Sequence, residues 1–211
     1  FKFIRANAKF VDANTVELDL PRSGRRKEAH SISGERSQNL LTSAATLTAK
    51  HFVIATGSTV APPPLPSLAE TGFITSDDAL TLKRLPKSLI VLGGGAVASE
   101  FAQFFARFGV KVTLLQRSAH ILKEFDADAG MEIEKAFRRE GIQVLTGTKL
   151  LDARQKGKLK TVSFEHEGKT GSVSAGEILF ALGRVPNTKS LGLENAGVKT
   201  EGARIIADDH M

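Results

Sequence analysis

The sequence predicts an α/β protein: a three-layer domain on a parallel sheet with a β-meander, flanked by short strands of a second domain. Two observations carry this. Between residues 89 and 145, short apolar runs alternate with amphipathic helical stretches, the order of strand–helix–strand units. The rest of the chain carries brief strand-like runs broken by turn residues.

Composition sets the limits. The chain has 211 residues, 41% hydrophobic and 25% charged, enough to bury a core. It has no Cys, Trp or Tyr, and its aromatic content is 13 Phe. The missing cysteine excludes a disulfide framework, thiolate catalysis and a Cys-ligated metal. With 29 basic and 23 acidic residues the formal charge is +6, which reads first as a solvated surface. No apolar run approaches the ~18 residues that a membrane-spanning helix needs, and no charged-then-apolar signal opens the chain. The expected location is cytoplasmic. The chain starts at Phe1 and stops after Asp208-Asp209-His210-Met211, so both ends read as cuts through a longer protein.

Residues 1–20 alternate as a hairpin, with Phe3, Phe10, Val11, Val16, Leu18 and Leu20 around Asp12-Ala13-Asn14. Residues 21–43 are polar and hold the basic cluster Arg22, Arg25, Arg26 and Lys27. No aromatic residue interleaves that cluster for base stacking, so it reads as a solvated loop and not a nucleic-acid surface. Residues 44–56 resume strand character and end in the run Phe52-Val53-Ile54-Ala55. Pro62, Pro63, Pro64 and Pro66 then mark a stiff linker over 61–75.

After the linker the period changes. Ser76 is the expected N-cap of a helix, with Asp77 and Asp78 in its first turn. Leu89-Ile90-Val91-Leu92 reads as a fully buried parallel strand. Val97, Phe101, Phe104, Phe105 and Phe108 give a helical stripe that ends at Gly109. Val112 to Leu115 gives a second strand. Residues 127–140 repeat the helical pattern through Ala129, Ile133, Ala136 and Phe137, closed by Gly141, and Ile142 to Leu145 gives a third strand. Asp126 and Asp128 open that helix and read as capping residues, not as an acid–base pair. From 149 onward, Gly157, Gly168 and Gly171 mark the turns of a meander, and a closing strand follows at Ile178 to Leu182.

The chemistry concentrates at 89–100, LIVLGGGAVASE. Gly93-x-Gly95-x-x-Ala98 follows a buried strand and opens a helix, the setting a dinucleotide fingerprint requires. Gly93 allows the tight turn, and Gly95 lets a pyrophosphate reach the backbone at the helix N-terminus. Ala98 keeps helix and strand close. Strand, turn, helix and second strand in line make a Rossmann-type domain; the alternative is a glycine-rich turn with no ligand. At the end of the second strand, Gln116 stands where a carboxylate would bind the ribose 2′-hydroxyl. Arg117 can hold a 2′-phosphate through a guanidinium fork, Ser118 can add a hydrogen bond, and Lys123 follows one loop later. NADPH is therefore expected ahead of NADH, with Arg117 as a merely solvated loop residue the competing reading.

LIVLGGGAVASEFA and KVTLLQRSAHIL resemble the pyridine nucleotide–disulfide oxidoreductases, the family of dihydrolipoamide dehydrogenase, glutathione reductase and mercuric reductase. FVIATGS at 52–58, FALGRVPNT at 180–188 and the terminal IIADDHM agree with it. TLLQRS and AFRREGIQVL look most like the mercuric reductase branch. The resemblance implies a flavoprotein passing hydride from NAD(P)H to FAD and electrons on to a cysteine pair. It implies cofactor contacts at Gly93, Gly95, Ala98, Arg117 and Lys123, to which the turn and the strand end add Ala96, Val97, Gln116 and Ser118 as expected contacts. It adds Gly183 beside the nicotinamide, and Thr56 and Gly57 beside the flavin. Ala96 departs from the bulky residue that shields the flavin in many relatives. Glu100 matches a glutamate that pairs with a flavin-side lysine; the other reading is a helix-start carboxylate favoured by the dipole.

On this basis 1–60 are strands of a split FAD-binding domain, 76–182 the NAD(P)H-binding domain, and 183–211 a return segment. The FAD fingerprint, the cysteine pair and the dimerisation domain of the family have no counterpart in these residues. The expectation is therefore a central piece of a homodimeric flavoprotein. Alone, it would bind dinucleotide weakly, carry no FAD and turn nothing over. Of the five His, His120 can lend a hydrogen bond near the 2′-phosphate; His30, His51, His166 and His210 read as surface or strand positions. The rivals are a stand-alone NAD(P)-binding sensor or interaction module, and a single-domain dehydrogenase, which the lack of Tyr disfavours.

Overall fold

A computed structural model describes residues 2–20 and 44–209. The chain forms two units, Phe1–Thr59 with Val185–Met211, and Val60–Arg184. The basic cluster at Arg22 to Lys27, His30 and His210 lie outside the described residues. In the first unit, β1 (Asn7–Asp12), β2 (Thr15–Asp19) and β3 (Ala44–Thr48) form an antiparallel sheet in that order. The turn between β1 and β2 is held by Asp12 Oδ1, which accepts from the Asn14 N–H at 2.7 Å. Phe10, Val16 and Leu18 point inward, as strand alternation demands. Two apolar residues of the expected hairpin do not follow. Phe3 precedes β1 and is 89% exposed, and Val11 falls on the outer face. Residues 52–55 form no strand either: Phe52 and Ile54 pack against the Phe10 cluster, while Val53 points to solvent.

The second unit begins in β4 (Ser58–Val60). The proline stretch is more than a linker, because α1 (Pro66–Thr71) lies within it. Pro66 stands in the first turn, where its missing N–H costs no helical bond. Leu68 is fully buried under the sheet. In α2 (Ser76–Ala79) the N-cap is Thr75, one residue before the expected Ser76. Thr75 and Asp78 exchange side-chain-to-backbone bonds in a capping box, which pins the helix start more firmly than Ser76 could.

The central sheet then follows: β5 (Ser88–Leu92), α3 (Ala96–Arg107), β6 (Lys111–Leu115), α4 (Ala127–Arg139) and β7 (Gln143–Leu145). The meander β8 (Lys149–Lys156), β9 (Leu159–His166) and β10 (Lys169–Ala175) precedes β11 (Glu177–Phe180). The parallel strand order is β11-β5-β6-β7. Alternation makes three layers. Leu89, Val91 and Leu179 face α3 and α4, while Ile90, Leu92, Ile178 and Phe180 face the meander and α1. The Lys160–Glu177 ion pair ties β9 to β11.

Two sequence expectations fail in this unit. Gly171 is no turn residue; it lies within β10, where a Cβ would press on the Phe164 ring at 3.2 Å. On α3 the buried face is Ala98, Ala102 and Phe105, whose small members let the helix sit close to the sheet. Phe101 is half-buried, and Val97, Phe104 and Phe108 are exposed.

The chain leaves the second unit through β12 (Arg184–Pro186). Back in the first unit, a 3₁₀ turn (Leu193–Ala196) precedes β13 (Thr200–Glu201) and β14 (Arg204–Ile205). The Phe10 N–H donates to the Leu191 carbonyl at 2.7 Å, and Asn195 Nδ2 donates to the Phe10 carbonyl at 2.8 Å. Leu193 joins Phe10, Val16 and Leu18 in the core of this unit. Among the described residues, no helix is long and apolar enough to cross a membrane.

Candidate functional site

The glycine turn between β5 and α3 is shaped from both sides. Gly93 has φ +114°, and a Cβ there would overlap the Ala181 carbonyl oxygen and sit 2.9 Å from its carbon. Gly94 is buried against the Gln116 side chain, which leaves 2.9 Å for any added Cβ. Gly95 differs: it is exposed, its φ is an ordinary −76°, and nothing lies within 4 Å of a Cβ built on it.

Gly95 is also the N-cap of the 12-residue α3, and no side chain caps that helix end. Ala96 and Val97 are exposed beside it. Amides at an uncapped helix end carry partial positive charge and seek an acceptor. Ala98, 1% exposed, seals the helix onto the sheet. The Ser99 hydroxyl is buried one residue on without a hydrogen-bond partner. A bare turn at an uncapped helix end fits an anionic, hydrogen-bonding group.

The end of β6 supplies the neighbouring wall. Gln116 is 8% exposed, and its backbone is locked by donation to Leu145 O at 2.9 Å and acceptance from Thr148 N–H at 2.9 Å. Arg117 is exposed, and among the described residues its side chain makes no hydrogen bond or ion pair. Ser118 is half-buried and accepts from the Gly147 N–H. Lys123 is exposed and pairs with its neighbour Glu124 at 3.2 Å. His120 uses Nδ1 on the Ile121 carbonyl at 2.8 Å, so that nitrogen serves the loop itself. Asp126 stands at the N-cap of α4 without a side-chain capping bond, and Asp128 lies in its first turn.

Glu100 lies beyond the first turn of α3, which contains no acidic residue. The helix dipole has largely faded there. Glu100 is exposed, and no ion pair among the described residues engages it. Gly183 has φ +129°, and its carbonyl accepts from the Ala61 N–H at 3.0 Å. Gly93 to Ala98, Gln116 and the 117–123 loop thus meet in the second unit. Thr56 and Gly57 belong to the first, where their carbonyls accept from Asn187 Nδ2 and N–H, both at 3.0 Å.

The first unit holds a cavity of about 730 Å³ that sequence reasoning missed apart from Thr56. Ala6, Asn7, Ala8, Lys9 and Asn187 line it with Thr56. The small Ala6, just before β1, and Ala8 within it are its faint sequence mark. Among the described residues, no cluster of His, Asp and Glu could hold a metal ion.

Known proteins align with this architecture along the whole chain. A mercuric reductase of Staphylococcus aureus is 34% identical over 200 residues, covering 95% of this chain and 32% of that protein. A dihydrolipoyl dehydrogenase of Geobacillus stearothermophilus is 34% identical over 209 residues, covering 99% of this chain and 40% of that protein. The solved Cu(II) complex of the HOCl-induced flavoprotein disulfide reductase RclA from Escherichia coli has a TM-score of 0.75 at 28% identity. That likeness covers 96% of this chain and 41% of RclA. The chain therefore spans well under half the length of each relative. Residues 1–211 match the family model described as pyridine nucleotide-disulphide oxidoreductase, and the chain belongs to that family.

Proposed function

We propose that this chain supplies the pyridine-nucleotide site of a flavin-dependent oxidoreductase, takes NADPH ahead of NADH, and contributes strands to the FAD domain. The observation that carries the reading is Gly95: an exposed turn with nothing within 4 Å of its missing Cβ, at the uncapped start of α3. A pyrophosphate laid there accepts from the backbone amides that follow Gly95 and meets the positive end of the helix.

At the adenosine end, the buried Gln116 brings no negative charge, and Arg117 is unengaged. Together they favour a ribose carrying a 2′-phosphate. The nicotinamide, when bound, supplies a hydride for the flavin. Glu100 is available for the flavin-side lysine that the family resemblance implies. The cavity of the first unit, with Thr56 on its wall and the carboxylates of Glu17 and Asp19 also lining it, suits an uncharged part of the FAD and not its pyrophosphate. The whole protein would work as a homodimer, as the resemblance implies.

Titration calorimetry of the 211-residue chain against NADPH and NADH tests the site. Tighter NADPH binding, by about tenfold for one charge-assisted phosphate contact, is expected. Equal or tighter NADH binding overturns the cofactor preference, and binding of neither overturns the site.

A further inference from the structure

We propose that Glu134 of α4 is the positioning residue that sets the preference between the two nicotinamide dinucleotides. It does so through the 117–125 loop, and the inference rests on reading that loop as the ribose end of the site. Glu134 is only 6% exposed. A carboxylate taken from water that far is costly unless both oxygens are engaged. One oxygen accepts from the Ile121 backbone N–H at 3.0 Å, and the other faces Arg138 Nη2 at 3.1 Å. Glu134 is therefore directed at the loop backbone, one residue from a hydrogen-bonding histidine and two from Lys123.

The rest of the loop is held to match. The Ile121 carbonyl meets His120 Nδ1 at 2.8 Å, so the Ile121 peptide groups are gripped on both sides. The same carbonyl lies only 2.5 Å from where a Cβ would stand on Gly130, one turn before Glu134 on the same helix. Leu122 adopts φ +54°, a conformation leucine disfavours, and its N–H donates to the Gly94 carbonyl at 2.6 Å. The anchored stretch 120–122 thus connects α4 to the glycine turn. Arg117 and Ser118 lead into it, and Lys123 leads out. Loss of the Glu134 anchor displaces the phosphate-facing residues and leaves Gly95 and the start of α3 in place.

The test uses the 211-residue chain with NADPH, NADH and 5′-ADP as probes. Glu134→Leu fills the same space without an acceptor; Glu134→Gln keeps an oxygen for the Ile121 N–H. Glu134→Leu is expected to cut the NADPH-to-NADH preference about tenfold, with 5′-ADP affinity unchanged within about twofold. Glu134→Gln is expected to keep most of the preference. Gly130→Ala, which pushes on the Ile121 carbonyl and on the His120 Nδ1 bonded to it and leaves Glu134 in place, reads the same displacement should Glu134→Leu fail to fold.

A preference kept by Glu134→Leu and Gly130→Ala overturns the inference and leaves the site intact. So does a parallel loss of 5′-ADP affinity, which marks a purely structural role. A chain that binds all three probes without preference also overturns it. A chain that binds no probe overturns the site itself, and this inference with it.

Discussion

Gly93 packs directly against the Ala181 carbonyl, where the end of β5 meets the residue that follows β11. The Ala181 N–H donates to Leu92 O at 2.9 Å, so the two strands are clamped at this point and neither can retreat. Gly93→Ala adds a methyl group into that clamp and forces a left-handed φ on a residue that resists it. Strain and overlap together should cost about 2–4 kcal/mol. A urea melt of the 211-residue chain reads this; a loss under 1 kcal/mol would mean that β5 and β11 are less tightly fixed than the contact implies.

Gly95 gives the opposite outcome only two residues away. Its φ suits any residue, and its missing side chain faces open space. Gly95→Val should therefore cost only about 1 kcal/mol in a urea melt, for the poorer N-cap, while NADPH affinity falls by about tenfold or more because the pyrophosphate can no longer reach the backbone. Calorimetry and melting on the same sample separate the two effects. Unchanged NADPH binding would remove Gly95 from the site.

The contrast between these glycines also shows what the sequence could tell. A strand, a Gly-x-Gly-x-x-Ala turn and a helix at fixed offsets leave few backbone solutions, so β5, α3, β6 and α4 were legible from period and punctuation. Features that depend on distant residues were not. Gly171 looks like a turn residue until Phe164 is seen to lie over it. Phe104 and Phe108 look buried because they share the stripe of Phe105, yet the helix rests on Ala98 and Ala102. Thr75 is a different case: its partner Asp78 is only three residues on, and Thr-x-x-Asp is a local helix-start signature that competes with the adjacent Ser76. Glu134 reads locally as an ordinary i,i+4 partner of Arg138, and its contact with Ile121, 13 residues away, leaves no mark in the sequence.

Arg117 decides the cofactor preference in the proposed reading. It is exposed and unengaged, so Arg117→Gln removes a phosphate ligand without removing a packing contact. NADPH affinity should fall about tenfold and NADH affinity should stay within about twofold. Raising salt should narrow the difference in the unsubstituted chain, because an exposed guanidinium is screened. Equal losses for both dinucleotides would assign Arg117 to the shared part of the cofactor instead.

Acid stability offers a test that needs no ligand. The Asp78 carboxylate accepts from the Thr75 N–H at 2.8 Å and from the Thr75 hydroxyl at 2.7 Å, and these bonds hold its pKa below the ordinary 3.8. Glu140 is held below 4.5 by its bond to Arg107, which also ties α3 to the end of α4. Both folded pKa values are depressed, so the unfolded chain takes up protons first. The stability they contribute is complete above pH 4.5 and is lost as pH falls through the folded values. Asp78 is exposed and the Glu140 side chain keeps 30% of its surface in solvent, so screening keeps each effect small. Asp78→Asn with Glu140→Gln should lower the melting temperature at pH 7. The gap to the unsubstituted chain should close as pH approaches 3, where the carboxyls of the unsubstituted chain are themselves becoming neutral. A gap that stays constant between pH 7 and pH 3 would assign the loss to side-chain shape and not to charge.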